Sequence, residues 1–133
     1  MILTAELRLA RKADVDAPKP LRHLLASLLE ALGVDAARRA DVVLAVGEAL
    51  ANAVEHAYAG AETGGSIEMA AHSNDDGSLV VEVIDNGRFI EREGTPGRGF
   101  GLRIVRAVAR DVRVERSEGT RVAMTFDLGL SAA

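Results

Sequence analysis

Cysteine is absent from the 133-residue chain, which excludes a disulfide framework, a thiolate nucleophile and a cysteine-ligated zinc. Tryptophan is absent too, and the aromatic residues are only Tyr58, Phe89, Phe100 and Phe126. A core must then be built from Leu, Val, Ile and Ala, and stacking platforms for single-stranded nucleic acid are not expected. Excess positive charge is also missing. With 16 Lys and Arg against 20 Asp and Glu, the formal net charge is −4, the wrong sign for affinity drawn from phosphate backbones. No apolar run approaches the ~20 residues of a membrane span. The N-terminus alternates charge with Leu where a secretory signal would place an apolar core. The expectation is a cytoplasmic protein that touches neither nucleic acid nor membrane directly. Internal repeats and low-complexity tracts are absent from the sequence.

What is present is ordinary globular usage, 48% hydrophobic and 27% charged, which excludes disordered, collagen-like and coiled-coil chains. The length suits one domain over residues 1–133. Leu3, Ala5, Leu7 and Leu9 alternate with Thr4, Glu6, Arg8 and Ala10, the period of a half-buried strand. Asp14 to Pro20 reads as a turn. From Leu21, apolar residues recur at helical spacing through Leu24, Leu25, Leu28, Leu29 and Leu32 until Gly33, placed as a left-handed cap.

Asp35 is placed to cap a second helix from Ala36 to about Ala59. At ~100° per residue, Val42, Val43, Val46, Leu50, Ala53, Val54 and Ala57 share one arc of roughly 120°, with Glu48, Asn52 and Glu55 on the opposite arc. With Leu44, Ala45, Ala49 and Ala51 around them, most of this helix reads as buried, so its few polar residues need partners.

After a loop from Gly60 to Gly65, Ile67, Met69 and Ala71 alternate into a strand. Asn74-Asp75-Asp76-Gly77 is a turn, and Leu79, Val81 and Val83 alternate with Val80, Glu82 and Ile84 beyond it. Asp85 to Gly99 is irregular and rich in Gly and charge, the kind of segment that carries binding loops. A short helix from about Leu102 to Ala109 precedes a second hairpin: Val112 to Arg116, a turn at Ser117-Glu118-Gly119, then Thr120 to Leu128. This order suits an α/β (α+β) two-layer sandwich with helices on one face of a mixed, mostly antiparallel sheet. Gly97-x-Gly99-x-Gly101 matches neither a dinucleotide fingerprint nor a Walker loop. No strand immediately precedes it, and no Gly-Lys-Ser/Thr ends it.

Three segments carry candidate chemistry: Glu48-Ala-Leu-Ala-Asn52-Ala-Val-Glu55-His56-Ala-Tyr58, Asp85-Asn86-Gly87 and Gly97-Arg98-Gly99-Phe100-Gly101-Leu102. An Asn on a helix offers a hard carbonyl oxygen of the kind Mg²⁺ accepts beside phosphates, and a carboxylate one turn earlier can take a proton from a hydroxyl. An Asp at a strand end can accept a hydrogen bond from an exocyclic amine such as adenine's, and a Gly two residues on lets a flat ring approach the backbone. Glycines before a helix expose N–H groups where the helix dipole favours phosphate.

In this order the segments resemble the nucleotide-binding boxes of the GHKL ATP-binding superfamily, shared by histidine-kinase catalytic domains, gyrase and heat-shock-90 ATPases. Within it, Glu48 to Tyr58 is most similar to the anti-sigma-factor serine/threonine kinases of bacterial partner-switching systems. The resemblance implies the histidine-kinase-like ATPase (Bergerat) fold, with ATP and Mg²⁺ as cofactors. Asn52 would then hold Mg²⁺, Glu48 would be the general base for a protein serine, and Asp85 would bind the adenine amine. Gly87 would admit the base, and Gly97, Gly99 and Gly101 would form the lid over the triphosphate. Arg98 would contact phosphate, and Thr120 would support the adenine subsite.

Two features depart from the family pattern. Phe89 stands where a second Gly is common, and the lid from Arg88 to Arg98 is short. His23, His56 and His72 lack metal-ligand spacing, and a hydrogen-bonded structural role suits His56 better. The resemblance further implies a homodimer whose partners are a STAS-domain anti-anti-sigma protein, phosphorylated on serine, and a sigma factor that is sequestered. The first strand is the candidate sheet edge for self-pairing. The alternative is a non-catalytic nucleotide-binding module or one domain of a larger signalling protein. A sensor histidine kinase fits less well, because no phosphoacceptor helix pair precedes the boxes.

Overall fold

The computed structural model describes residues 5–59, 65–86, 98–116 and 119–130, with side chains at all of these except 56–59 and 98–102. The first strand, β1, runs Glu6–Lys12, two residues past the expected end, because Arg11 and Lys12 still pair with Ile67 and Ser66. Leu3 and Thr4 lie outside the described residues. Helix α1, Pro18–Ala31, starts inside the segment expected to be a turn. Pro18 and Pro20 sit in its first turn, where the missing N–H has no intrahelical acceptor to lose and the fixed φ suits a helix. At its far end Gly33 has φ +82. Its N–H donates to Glu30 O at 3.0 Å, and that of Val34 donates to Leu29 O at 3.1 Å. This paired closure needs a left-handed residue, which Gly adopts freely.

Helix α2 spans Ala36–Ala59 as its spacing predicts, and Asp35 Oδ1 accepts the Arg38 N–H at 3.0 Å as the cap. Val42, Ala45, Val46, Ala49, Leu50, Ala53 and Val54 are buried. Burial does not extend around the helix, however: Leu44 is 52% exposed, and Ala51 is exposed as well. In two layers the side of α2 away from the sheet meets solvent.

The remaining strands are β2 (Ser66–Ser73), β3 (Ser78–Asp85), β4 (Asp111–Arg116) and β5 (Thr120–Asp127). Sheet order is β1-β2-β3-β5-β4, and every pairing is antiparallel. Register places Leu9, Met69, Val83, Val122 and Val114 in one row of one face, the face α2 covers over β2 and β3. Helix α1 packs on one flank of α2. Helix α3, Arg98–Val108, packs on the other and inserts Val105 into the core. The opposite face of the sheet is polar, with Arg8 paired to Glu68 and Arg121 Nε 3.3 Å from Glu82 Oε2.

Helix α3 begins four residues before the expected Leu102 and ends one before Ala109. Gly99 and Gly101 are poor helix formers, and the apolar period starts only at Leu102, so its first turn has no sequence signature. Among the described residues, no helix is long and apolar enough to cross a membrane.

Candidate functional site

Register brings two predicted residues together. Asp85, the last residue of β3, stands opposite Thr120, the first of β5. Both face the helix side of the sheet, and each is only 4% exposed. Asn86 clamps the neighbouring strand: its Oδ1 accepts the Ser66 N–H at 2.8 Å, and its own N–H donates to Ser66 O at 3.4 Å. On the other side, a Cβ on Gly119 would lie 2.1 Å from Asp85 O and 3.1 Å from Asn86 Cα. Only Gly fits, and its lack of a side chain lets β5 begin against the end of β3.

Thr120 Oγ1 is buried with no hydrogen-bond partner among the described residues. A hydroxyl left so costs ~1–3 kcal/mol, a cost that a ligand with a polar edge would remove. At this end of the sheet a hollow of about 360 Å³ is lined by Asp85, Asn86, Gly119 and Thr120 together with Ile84, Glu115 and Arg121; register sets these last three on the polar face, so the hollow meets the pair from the side away from the helices. A flat ring with a donor toward Asp85 and a polar atom toward Thr120 fits the chemistry of the pair. Asn86 and Gly119 had no assigned role from sequence. The signal for Gly119 was its place just before Thr120, but its necessity comes from a strand 34 residues away.

Glu48 and Asn52 lie one helical turn apart on α2, and both are half-buried. On the arc opposite the apolar one, Leu44, Ala51 and Glu55 are exposed, while Glu48 and Asn52 stand nearer its border with the core. The border is the one toward α3. Arg38, which reaches Val108 O at the end of α3, is separated from Asn52 by only about 40° around the helix axis. Helix α2 also brings the two residues to the Asp85 end of the sheet. Arg38 binds Asp127 O, level with Ser78 at the start of β3. Fourteen helical residues at ~1.5 Å and seven strand residues at ~3.4 Å cover similar lengths, ~21 and ~24 Å, to Asn52 and Asp85.

Arg98, Gly99 and Gly101 belong to the first turn of α3, not to a loop before it. The first four N–H groups of a helix lack intrahelical acceptors, so this turn offers backbone donors and a partial positive charge. Gly87, Gly97, Phe89 and the segment from Arg88 onward to Gly97 lie outside the described residues, as do the side chains of His56, Tyr58 and Arg98. No cluster of three or more His, Cys, Asp or Glu suited to a metal occurs among the described residues.

The model of the histidine kinase-like ATPase domain matches residues 11–126, a stretch that contains every site residue named above. The serine-protein kinase RsbW of Listeria innocua serovar 6a is 32% identical over 101 residues, covering 64% of this chain and 63% of that protein. The chain therefore spans just under two thirds of that relative. The crystal structure of the RsbU and RsbW domains of Rv1364c from Mycobacterium tuberculosis aligns with a TM-score of 0.76 at 29% identity, over 93% of this chain and 32% of that one. On the match of the family model to most of its length, the chain belongs to the histidine kinase-like ATPase domain family.

Proposed function

We propose that the chain is an ATP-dependent protein serine/threonine kinase that phosphorylates a STAS-domain anti-anti-sigma protein and sequesters a sigma factor in the cytoplasm. The observation that carries the reading is the buried Asp85–Thr120 pair at the end of the sheet, with the Thr120 hydroxyl unpartnered among the described residues. Asp85 accepts the adenine amine, Gly87 admits the ring, and Thr120 donates to or accepts from its edge. Gly97, Gly99 and Gly101, with Arg98, hold the phosphates at the start of α3. Asn52 would hold Mg²⁺, which when bound neutralises phosphate charge. Glu48 takes the proton of the partner's serine hydroxyl as that oxygen bonds to the γ-phosphorus and the bond to ADP breaks.

The same reading includes a homodimer. Strand β1 is a sheet edge, and Leu9 on it is 37% exposed. Antiparallel pairing about a two-fold at Leu9 sets Glu6 opposite the partner's Lys12 and covers Leu9 with its own copy. A second reading is a domain of a longer signalling protein that binds nucleotide without transferring phosphate; in the mycobacterial neighbour the matched segment is 32% of a longer chain.

Incubating the folded chain with labelled ATP and a panel of STAS proteins separates the two. Label on a partner serine, lost in Glu48→Gln, is the expected result. A chain that binds ATP but labels no partner supports the non-catalytic module instead.

A further inference from the structure

Arg38 occupies the first turn of α2 and sends its guanidinium across the end of the molecule opposite Asp85. Its Nε donates to Asp127 O at 2.7 Å and its Nη2 to Val108 O at 3.4 Å. Asp127 ends β5 and Val108 ends α3. The Val108 carbonyl is one of the four that a helix leaves without an intrahelical donor. One planar, permanently charged fork therefore joins α2, the sheet and the C-terminal end of α3. The next residues reinforce the join. The Arg110 N–H donates to Thr125 O at 2.7 Å, and Arg110 Nη1 donates to Asp127 Oδ1 at 2.6 Å.

The held end of α3 lies opposite the end that carries Arg98, Gly99 and Gly101. Eleven residues make a helix ~16 Å long, so a tilt of ~5° at the held end moves the first turn by ~1.4 Å. Displacements of ~1 Å are enough to cost a site about 10²-fold. Arg38 also shares α2 with Glu48 and Asn52. The residue that seats α3 is thus built into the element that carries the proposed base and cation ligand.

We infer that Arg38 is a positioning residue for the triphosphate: by joining Val108 O to Asp127 O it seats α3 on α2 and aligns the first turn of α3 with Glu48 and Asn52. The inference rests on the nucleotide reading given above. It assigns Arg38 no contact with ATP, and it separates the phosphate half of the site, which depends on α3, from the adenine half, which depends on β3 and β5.

Calorimetric titration of Arg38→Met with ATP and Mg²⁺, and separately with adenosine, tests it. Affinity for ATP should fall by about tenfold or more, while adenosine, which samples only the Asp85–Thr120 end of the sheet, should keep its affinity. Arg38→Lys keeps the charge but not the two-carbonyl fork, and it should show the same ATP-selective loss. Equal losses for both ligands, or unchanged ATP affinity, would overturn the inference. Amide hydrogen exchange without nucleotide gives a second readout: protection of Ile104 to Val108 should drop in both variants relative to the core of α2. Unchanged protection also overturns it. Should the wild-type chain bind neither ATP nor adenosine, the nucleotide reading fails and takes this inference with it. Wild-type binding without an ATP-selective loss in the variants overturns the inference alone.

Discussion

Thr120 holds its hydroxyl in a buried position where no described group meets it, directly across from Asp85. Replacing it by the near-isosteric Val removes a hydroxyl that costs the ligand-free fold ~1–3 kcal/mol. Thr120→Val should therefore raise the stability of the nucleotide-free protein, by ~1 kcal/mol in a denaturant titration, and weaken ATP at the same time. Opposite signs on stability and affinity distinguish a ligand-facing hydroxyl from a packing one. Glu48→Gln should behave differently: ATP affinity is kept and transfer to a STAS serine falls by ~10² to 10⁴ in a single-turnover assay. Equal turnover would indicate that positioning suffices without a base. Glu48, Asn52 and Asp85 were visible in the sequence because their residue types and spacing sit within single segments. The Gly119 contact with Asp85 and the Asn86 clamp on Ser66 were not visible. Each depends on a cross-strand neighbour far along the chain, which no local pattern encodes.

Elements were legible wherever a local cap or period fixed them. The Asp35 and Gly33 caps bound α2 and α1 because each satisfies helix-end groups within three or four residues of itself. The start of α3 was hidden because glycines oppose a helix that packing against α2 still forms. At the β2–β3 turn, Ser78 donates its hydroxyl to Asp76 Oδ1 at 2.6 Å and its N–H at 3.0 Å. These bonds, with Arg110 nearby, hold the Asp76 carboxyl below its ordinary value of 3.8. A carboxyl lowered by folding stabilises the native state above its unfolded pKa, and that contribution fades as pH falls through the folded value. The acid limb of stability below about pH 3.8 should thus be shallower in Asp76→Asn, measured by melting temperature against pH. An unchanged slope would mean the turn bonds persist without the charge.

On the scale of the whole molecule, the two-layer sandwich was readable from element order alone, since alternating strands and an amphipathic helix have one face each to bury. The wholly antiparallel order β1-β2-β3-β5-β4 needed the long-range pairings. That order leaves β1 at one edge with Leu9 exposed. Light scattering at micromolar concentration should give a dimer, and Lys12→Glu, which sets like charges against Glu6 across the proposed two-fold, should shift it toward monomer. A monomeric wild type would remove the edge-pairing model and leave the nucleotide site untouched. That site is decided by calorimetric titration of the folded chain with ATP and Mg²⁺, run beside Asp85→Asn. Binding against the Asp85–Thr120 pair predicts saturable heat, ~2.7 kcal/mol of added stability at a hundred times Kd, and a clear loss of affinity in the variant. A folded wild-type chain that gives no heat and no rise in melting temperature at millimolar ATP would contradict it.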